Sequence, residues 1–169
     1  MTTRRDFLKT MTMASAGLAL GTGDLLGAPI SVSQRKAAAD KVKIAYVGIG
    51  NRGEQIIGDF ARTGMVEVVA LCDVDMGAPH TQKVMNMYPK AKRFRDFRQM
   101  FDKAGNDFDA VAIATPDHSH FPITMLALAS GKHVYVEKPL ARTFYEAELL
   151  MQAALKRPNL VTQVGNQGH

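Results

Sequence analysis

The stretch VKIAYVGIGNRG, residues 42–53, decides the fold. Its first half, Val42 to Val47, is an apolar run with the β-branched residues typical of a buried strand. Its second half has the form G-x-G-x-x-G, a glycine-rich turn that would end the strand and open a helix. We therefore expect an α/β domain whose first strand–turn–helix unit begins at residue 42.

From there the chain alternates apolar, strand-like runs with longer segments of helical period. The runs are apolar along nearly their whole length, which indicates a sheet that is covered on both faces. The predicted class is α/β, a doubly wound and mostly parallel sheet with the carboxyl end of every strand at one edge. The predicted strands are residues 42–47, 66–72, 110–114, 133–137 and 160–164, with a shorter one at 92–94.

Several helix boundaries can be read from the side chains alone. Thr143, with Glu146 three residues later, forms a capping box ahead of an apolar stripe. Asp96 is predicted to cap a helix, and Pro79 and Pro122 are predicted to lie in first helical turns.

The glycine-rich turn predicts a dinucleotide site, because it follows a strand directly and opens a helix. Gly48 would form the tight turn, Gly50 would admit a diphosphate against bare backbone, and Gly53 would allow close helix packing. The helix N-terminus would supply amide donors from the same segment, which includes Asn51. Arg52 is a candidate for phosphate or substrate contact, although a solvated first-turn residue is the simpler interpretation.

Asp73 ends the second predicted strand, twenty residues beyond Gly53. A carboxylate at this position accepts hydrogen bonds from the adenosine ribose and would repel a 2′-phosphate. Val74 and Asp75 follow, with no arginine beside Asp73 to receive such a phosphate. The sequence therefore favours NAD over NADP.

Composition limits the chain to one sizeable domain. It has 169 residues, 46% of them hydrophobic, and a net charge of +5 that is spread along the chain without long runs. That distribution indicates a solvated basic surface, and we predict no nucleic-acid partner. Cys72 is the single cysteine, so it forms no internal disulfide, and its apolar surroundings favour a core position over a nucleophilic role.

The N-terminus predicts an export signal. Paired Arg4 and Arg5 precede Phe7 and Leu8, and a weakly apolar stretch broken by glycines follows to residue 26. This is the pattern of a twin-arginine signal, whose apolar part is too interrupted to be a membrane span. We expect residues 1–39 to be signal peptide and linker, with cleavage between residues 28 and 39, and residues 40–169 to be the folded domain in the periplasm.

Two further segments resemble the Gfo/Idh/MocA oxidoreductases. The stretch ATPDHSH, residues 114–120, carries a T-P-x-x-x-H motif, and GKHVYVEKP, residues 131–139, carries a G-K-H-V-x-x-E-K-P motif. The chain departs from the family pattern only in having Ser130 before Gly131. With the glycine-rich turn, the resemblance covers residue 42 to the last residue.

The resemblance implies an NAD(P)-binding Rossmann domain with a nicotinamide over the sheet edge. Thr115 and Pro116 would lie near its ring, His120 near the cofactor cleft, and Glu137 would orient Lys138 or touch the ribose. Lys138 is implied as the catalytic residue, partly desolvated and exchanging a proton with the substrate hydroxyl as hydride moves. The peptide bond before Pro139 is a candidate cis bond. The two histidines at 118 and 120 lack a ligand cluster, so we predict no metal site.

Asn166 and Gln167 follow the last predicted strand and are candidate substrate contacts. Family members continue here into a second α/β domain, which we expect to be missing from this chain. The resemblance makes the full-length protein a candidate homo-oligomer.

We expect a periplasmic sugar or cyclitol dehydrogenase with tightly held NAD, loaded before the twin-arginine translocase exports the folded protein. One alternative is redox-neutral glycoside cleavage, which an intact E-K-P disfavours. Another, for these 169 residues alone, is a non-catalytic NAD-binding module.

Overall fold

A computed structural model of the chain describes residues 41–166. The predicted signal peptide and linker, residues 1–39, and the substrate-contact candidate Gln167 lie outside the described residues. Within residues 41–166, none of the helices combines the length and the apolar character that crossing a membrane requires.

Strands and helices alternate along the described residues, as predicted. The strands are β1 Val42–Val47, β2 Val66–Cys72, β3 Lys92–Phe94, β4 Ala110–Ile113, β5 His133–Val136 and β6 Thr162–Val164. The helices are α1 Arg52–Arg62, α2 Pro79–Met87, α3 Phe97–Ala104, α4 His120–Ala129 and α5 Phe144–Leu155, with short 3₁₀ turns at Gly105–Asp107 and Asp117–Ser119.

The six strands form one sheet in the order β3-β2-β1-β4-β5-β6, and every neighbouring pair is parallel. This is the doubly wound order: the chain winds outward from β1 to β3, crosses back to the centre and continues from β4 to β6, so the order reverses between β1 and β4. All the carboxyl ends therefore lie at one edge, and the loops that follow β1, β2, β4 and β5 meet there. The predicted fold class is confirmed.

The core lies on both faces of the sheet, because successive strand residues point in opposite directions. On one face, Val47 and Val111 pack with buried residues of α3, α4 and α5. On the other face, Tyr46 and Ala112 pack with buried residues of α1 and α2. Since both faces bury apolar side chains, the strands needed the near-continuous hydrophobicity from which they were predicted.

The predicted helix caps are confirmed. Thr143 and Glu146 form both halves of a capping box, Asp96 accepts from the backbone N–H of Arg98, and Pro79 is the first residue of α2.

Three predicted strand ends are one or two residues too long. Ala114 and Glu137 still donate backbone hydrogen bonds to the neighbouring strand, at 2.9 Å each, but they already belong to the loops beyond β4 and β5. Leu160 instead donates to Arg157 in a turn, so β6 begins at Thr162.

Cys72 is a core residue, as predicted. Its side chain is 2% exposed, and burial, reinforced by the nearby carboxylates of Asp73 and Asp96, raises the pKa of the thiol to about 12. A thiol with that pKa stays protonated at neutral pH, so the structure gives no support to a nucleophilic role.

Tyr46 is a buried core residue whose hydroxyl is expected to lower the stability of the fold. Its hydroxyl has no hydrogen-bond partner within residues 41–166, and burial raises the pKa of the phenol. Removing an unsatisfied buried hydroxyl relieves a desolvation cost, so we expect Y46F to raise the free energy of unfolding by about 1 kcal/mol. Urea unfolding measures the change, and Y145F, at an exposed tyrosine, is the matched control. A loss of stability in Y46F would show that the hydroxyl is satisfied in solution.

Candidate functional site

A cleft of about 710 Å³ lies at the carboxyl edge of the sheet. The turn after β1, the ends of β2 and β3, and the loop after β4 contribute its walls. Its size lies within the range of about 300–1,000 Å³ that is usual for ligand sites. Ligands bind at this edge in open parallel sheets, where the strand order reverses.

The glycine-rich turn is built as the sequence predicts. Gly48 has a φ of 81°, and a Cβ there would lie 2.6 Å from the Ala114 carbonyl oxygen. A Cβ on Gly53 would lie 2.0 Å from the Gly48 carbonyl oxygen, so α1 can pack on the turn only through a glycine. Asn51, which lines the cleft, also has a left-handed φ of 48°.

Gly50 leaves bare backbone toward the cleft, and a histidine occupies part of that space. A Cβ on Gly50 would lie 2.2 Å from Cδ2 of His80, which stands in the first turn of α2 and lines the same cleft. The imidazole therefore borders the position predicted to admit a diphosphate.

Asp73 projects into the cleft and is held by backbone donors. Its Oδ2 accepts from the Ile49 N–H at 3.0 Å, and its Oδ1 accepts from the Asp75 N–H at 3.0 Å. A carboxylate has about four acceptor positions, so both oxygens retain capacity for ribose hydroxyls. Asp73 thus fixes the glycine-rich turn and faces the cleft.

The loop after β4 offers an unpaired polar atom. Thr115 and Pro116 line the cleft, and the buried Oγ1 of Thr115 has no hydrogen-bond partner within residues 41–166. A buried hydroxyl without a partner costs stability unless a ligand or water satisfies it. The Thr115 hydroxyl is therefore available to a polar ligand that enters the cleft.

Arg52 binds Glu137, so the interpretation of Arg52 as a solvated residue is wrong. Its Nε and Nη2 donate to Glu137 Oε1 at 3.0 and 2.9 Å, and its side chain is only 32% exposed. Tyr135 donates its hydroxyl to the same oxygen at 3.0 Å. The contact joins the glycine-rich turn to the E-K-P segment across 85 residues of sequence.

These contacts set the charge state of the carboxyl. Burial of Glu137 acts to raise its pKa, but hydrogen bonds from Arg52 and Tyr135 outweigh it and hold the pKa below the ordinary value. The same hydrogen bond to Glu137 raises the pKa of Arg52. The pair is therefore ionised at neutral pH.

His120 is buried directly behind the cleft wall, in contact with Thr115, but it does not itself line the cleft, so its predicted contact with the cofactor stays a prediction. Its ring is 1% exposed, with Nδ1 at 2.6 Å from the Pro139 carbonyl oxygen and Nε2 at 2.8 Å from that of Thr115. The ring thus ties the T-P-x-x-x-H loop to the E-K-P turn, because those two carbonyls belong to different segments.

Lys138 follows β5 at the same sheet edge as the glycine-rich turn. The Lys138 side chain is exposed to solvent. Residues 41–166 therefore do not provide the partial desolvation that was predicted for it. The peptide bond to Pro139 is cis, as expected. Asn166 is exposed beyond β6, and neither it nor Lys138 is among the residues that line the cleft.

Three basic residues that line the cleft were not predicted from the sequence: His80, Arg95 and Arg98. Both arginines reach the cleft from the segment after β3, near Asp73 in space but more than twenty residues away along the chain. The guanidinium of Arg98 lies 4.5 Å from the centre of the Phe97 ring and pairs with Asp96 at 3.4 Å. The strand order could have predicted them, because β3 ends beside β2 at the same edge of the sheet and the residues after it must lie close to Asp73.

The described residues fit a dinucleotide. Bare backbone at Gly50, the Asp73 carboxylate and the orphaned Thr115 hydroxyl match a diphosphate, a ribose and a further polar group along one cleft. By contrast, residues 41–166 bring together no group of three or more histidine, cysteine or acidic side chains that could hold a metal ion.

Comparison with known sequences identifies the same kind of domain. Residues 42–165 match the family model described as oxidoreductase family, NAD-binding Rossmann fold. A glycosyl hydrolase family 109 protein of Shewanella pealeana is 31% identical, in an alignment that covers 89% of this chain and 36% of that protein. An alpha-N-acetylgalactosaminidase of Shewanella oneidensis is 29% identical, with the same shares covered.

Solved structures of dehydrogenases have a similar fold. The scyllo-inositol dehydrogenase of Lactobacillus casei, with bound NAD(H) and scyllo-inositol, is 29% identical and superposes with a TM-score of 0.65, covering 75% of this chain and 36% of that one. The WlbA dehydrogenase of Bordetella pertussis, in complex with NADH and UDP-GlcNAcA, is 25% identical with a TM-score of 0.65, covering 76% and 38%.

Fold and cleft together define the class: residues 42–165 form an NAD-binding Rossmann domain. The chain spans 36% of the length of the curated relatives it matches. It belongs to the Gfo/Idh/MocA family of oxidoreductases.

Proposed function

We propose that this chain is the nucleotide-binding part of an exported oxidoreductase that transfers hydride between a hydroxyl-bearing carbon of a sugar or cyclitol and tightly bound NAD. One observation carries the proposal. The glycine-rich turn and the Lys138 turn lie at one sheet edge, and the Arg52–Glu137 ion pair joins them directly. A lysine so placed can serve a cofactor that the glycine-rich turn holds.

Each residue has a distinct role in this proposal. Backbone N–H groups at the start of α1 bind the diphosphate, Asp73 accepts from the adenosine ribose, and Thr115 supplies its unpaired hydroxyl. NAD, when bound, accepts a hydride from the substrate carbon and can return it. Lys138 exchanges the hydroxyl proton, and the exposed Asn166 contacts substrate, as does Gln167.

Export makes retention of the cofactor part of the proposal. The paired arginines at residues 4 and 5 favour the twin-arginine route, which moves folded proteins into the periplasm. Without free NAD there, each catalytic cycle would need to re-oxidise the same bound cofactor. Full-length protein purified from the periplasm is therefore expected to contain NAD that is released on denaturation, and a preparation without it would contradict tight binding.

Redox-neutral glycoside cleavage is the second candidate, and the comparisons favour it specifically. Curated relatives carry the names glycosyl hydrolase family 109 protein and alpha-N-acetylgalactosaminidase. Such chemistry also uses a transient oxidation by bound NAD, so the same cleft would serve it. Against it stands the intact Glu137-Lys138-Pro139, whose lysine suits direct oxidation of a hydroxyl.

A substrate panel distinguishes the two. Full-length protein is incubated with free cyclitols and sugars, and separately with aryl N-acetylgalactosaminides, while NADH absorbance and aryl alcohol release are followed. Reduction of bound NAD by free polyols, without aryl release, supports the dehydrogenase. Aryl release without net reduction supports the glycosidase. K138A is expected to lose at least about a hundredfold of the dehydrogenase rate, since general acid–base groups contribute about 10²–10⁴-fold.

A further inference from the structure

The Glu137 carboxylate is the meeting point of three segments. Its side chain is only 5% exposed, and both oxygens are engaged. Oε1 accepts from Arg52 and Tyr135, and Oε2 lies 3.3 Å from the Lys138 backbone N–H, which donates to it. The carboxylate therefore faces protein donors and has little surface left for a ligand.

The loop after β6 closes over the same carboxylate. A Cβ on Gly165 would lie 2.9 Å from the Glu137 carboxyl carbon and from both of its oxygens. Gly165 also donates its N–H to the Val136 carbonyl at 2.7 Å. A side chain at Gly165 would therefore displace the carboxylate from its contacts with Arg52 and Tyr135.

All three guanidinium nitrogens of Arg52 already donate hydrogen bonds within the protein. Its Nε and Nη2 both reach Glu137, and its Nη1 donates to Gln55 at 3.0 Å. Charge-assisted hydrogen bonds of this kind are stronger than neutral ones and fix the guanidinium plane. Turning Arg52 toward a diphosphate would leave a nearly buried carboxylate without its counter-ion, which is strongly unfavourable.

We propose that Arg52 is a positioning residue: through Glu137 it holds the Lys138 turn at a fixed place relative to the glycine-rich turn, and it does not bind the diphosphate. The inference rests on the proposed NAD site. It assigns the diphosphate to backbone N–H groups and assigns Glu137 to the protein interior, away from the ribose.

The proposal separates the two ends of the cofactor. ADP carries the adenosine and the diphosphate but lacks the nicotinamide riboside, whereas NAD in the proposed site would also reach toward the Lys138 turn. If Arg52 acts through Glu137, its loss disturbs only the nicotinamide end. If Arg52 binds phosphate, its loss weakens ADP and NAD alike.

The experiment compares R52Q with R62Q by titrating the full-length protein, stripped of cofactor, with NAD and with ADP. Arg62 lies in the same helix and forms an exposed ion pair with Asp59, so R62Q is a matched control for lost charge. R52Q is expected to raise the Kd for NAD at least about tenfold, which corresponds to about 1.4 kcal/mol of binding free energy. The Kd for ADP should change by less than about twofold, as should both values in R62Q.

Two further measurements tie the effect to Glu137. Adding R52Q to E137Q should weaken NAD binding little further, because residues in one network are not additive. The difference in Tm between wild type and R52Q should be largest near neutral pH. A carboxyl whose folded pKa is lowered stabilises the protein above its unfolded pKa, and that stability disappears as the pH falls through the folded pKa.

The outcomes are distinct. An equal loss of ADP and NAD affinity in R52Q overturns the positioning role while leaving the NAD site intact. Unchanged affinity for both ligands also overturns it, because the pair would then be merely structural. Wild-type protein that binds neither ligand removes the proposed function and the inference together. R52K, which keeps the charge but cannot donate through two nitrogens in one plane, should recover only part of the NAD affinity.

Discussion

Replacing Gly53 with alanine is expected to lower the free energy of unfolding by about 3 kcal/mol, the upper part of the range for overpacked sites, and to abolish measurable NAD binding. The added methyl group would lie 2.0 Å from the Gly48 carbonyl oxygen, a backbone atom that cannot rotate away. The start of α1 would have to move off the turn, and the amide donors of that helix would move with it.

The same helix supplies the control. Gly58 lies in α1, and apart from adjacent residues and the backbone of its own helix, no heavy atom of residues 41–166 lies within 4 Å of the position that its Cβ would take. Since alanine is the better helix former, G58A should raise the free energy of unfolding by about 0.5–1 kcal/mol and leave NAD binding unchanged. Urea unfolding and NAD titration of both variants measure the contrast. Equal effects at the two positions would mean that the close approach at Gly53 does not govern the turn.

What the sequence predicts well is whatever depends on local pattern. The strands follow from continuous apolar runs, and the cap at Thr143 follows from a side chain that reaches its own helix. The roles of Gly48 and Gly53 follow from a motif whose geometry is contained within six residues. In each case the physical cause lies within one or two turns of chain.

The direction in which a side chain points within the site was harder to predict. Arg52 has the same neighbours in sequence whether it faces solvent or binds a carboxylate 85 residues away. His80 and Arg95 reach the cleft only because β2 and β3 end side by side. Strand order places such residues at the correct edge, but packing decides what each one contacts.

His120 tests that distinction, because the sequence places it near the cofactor cleft and packing shows that its ring contacts carbonyls of two protein segments. H120F keeps an aromatic ring of similar size but removes both nitrogens, so the carbonyl of Thr115 or of Pro139, whichever accepts the single N–H of the neutral ring, loses its donor. An unsatisfied buried polar group costs about 1–3 kcal/mol, so we expect H120F to lower the free energy of unfolding by about 3 kcal/mol. H118F, at an exposed histidine two residues earlier, should change it by less than about 0.5 kcal/mol.

The brace also predicts a change in ligand binding. Thr115 bears the unpaired hydroxyl of the cleft, and Pro139 follows Lys138, so loosening both should weaken NAD more than ADP. Isothermal titration of H120F and of the wild type with both ligands, at a temperature where both remain folded, measures this difference. If H120F lost NAD affinity without losing stability, the imidazole would be contacting the cofactor directly. A loss of stability together with a selective loss of NAD affinity would mean that His120 fixes the T-P-x-x-x-H loop and the E-K-P turn relative to each other, and that this arrangement is what binds the nicotinamide end of NAD.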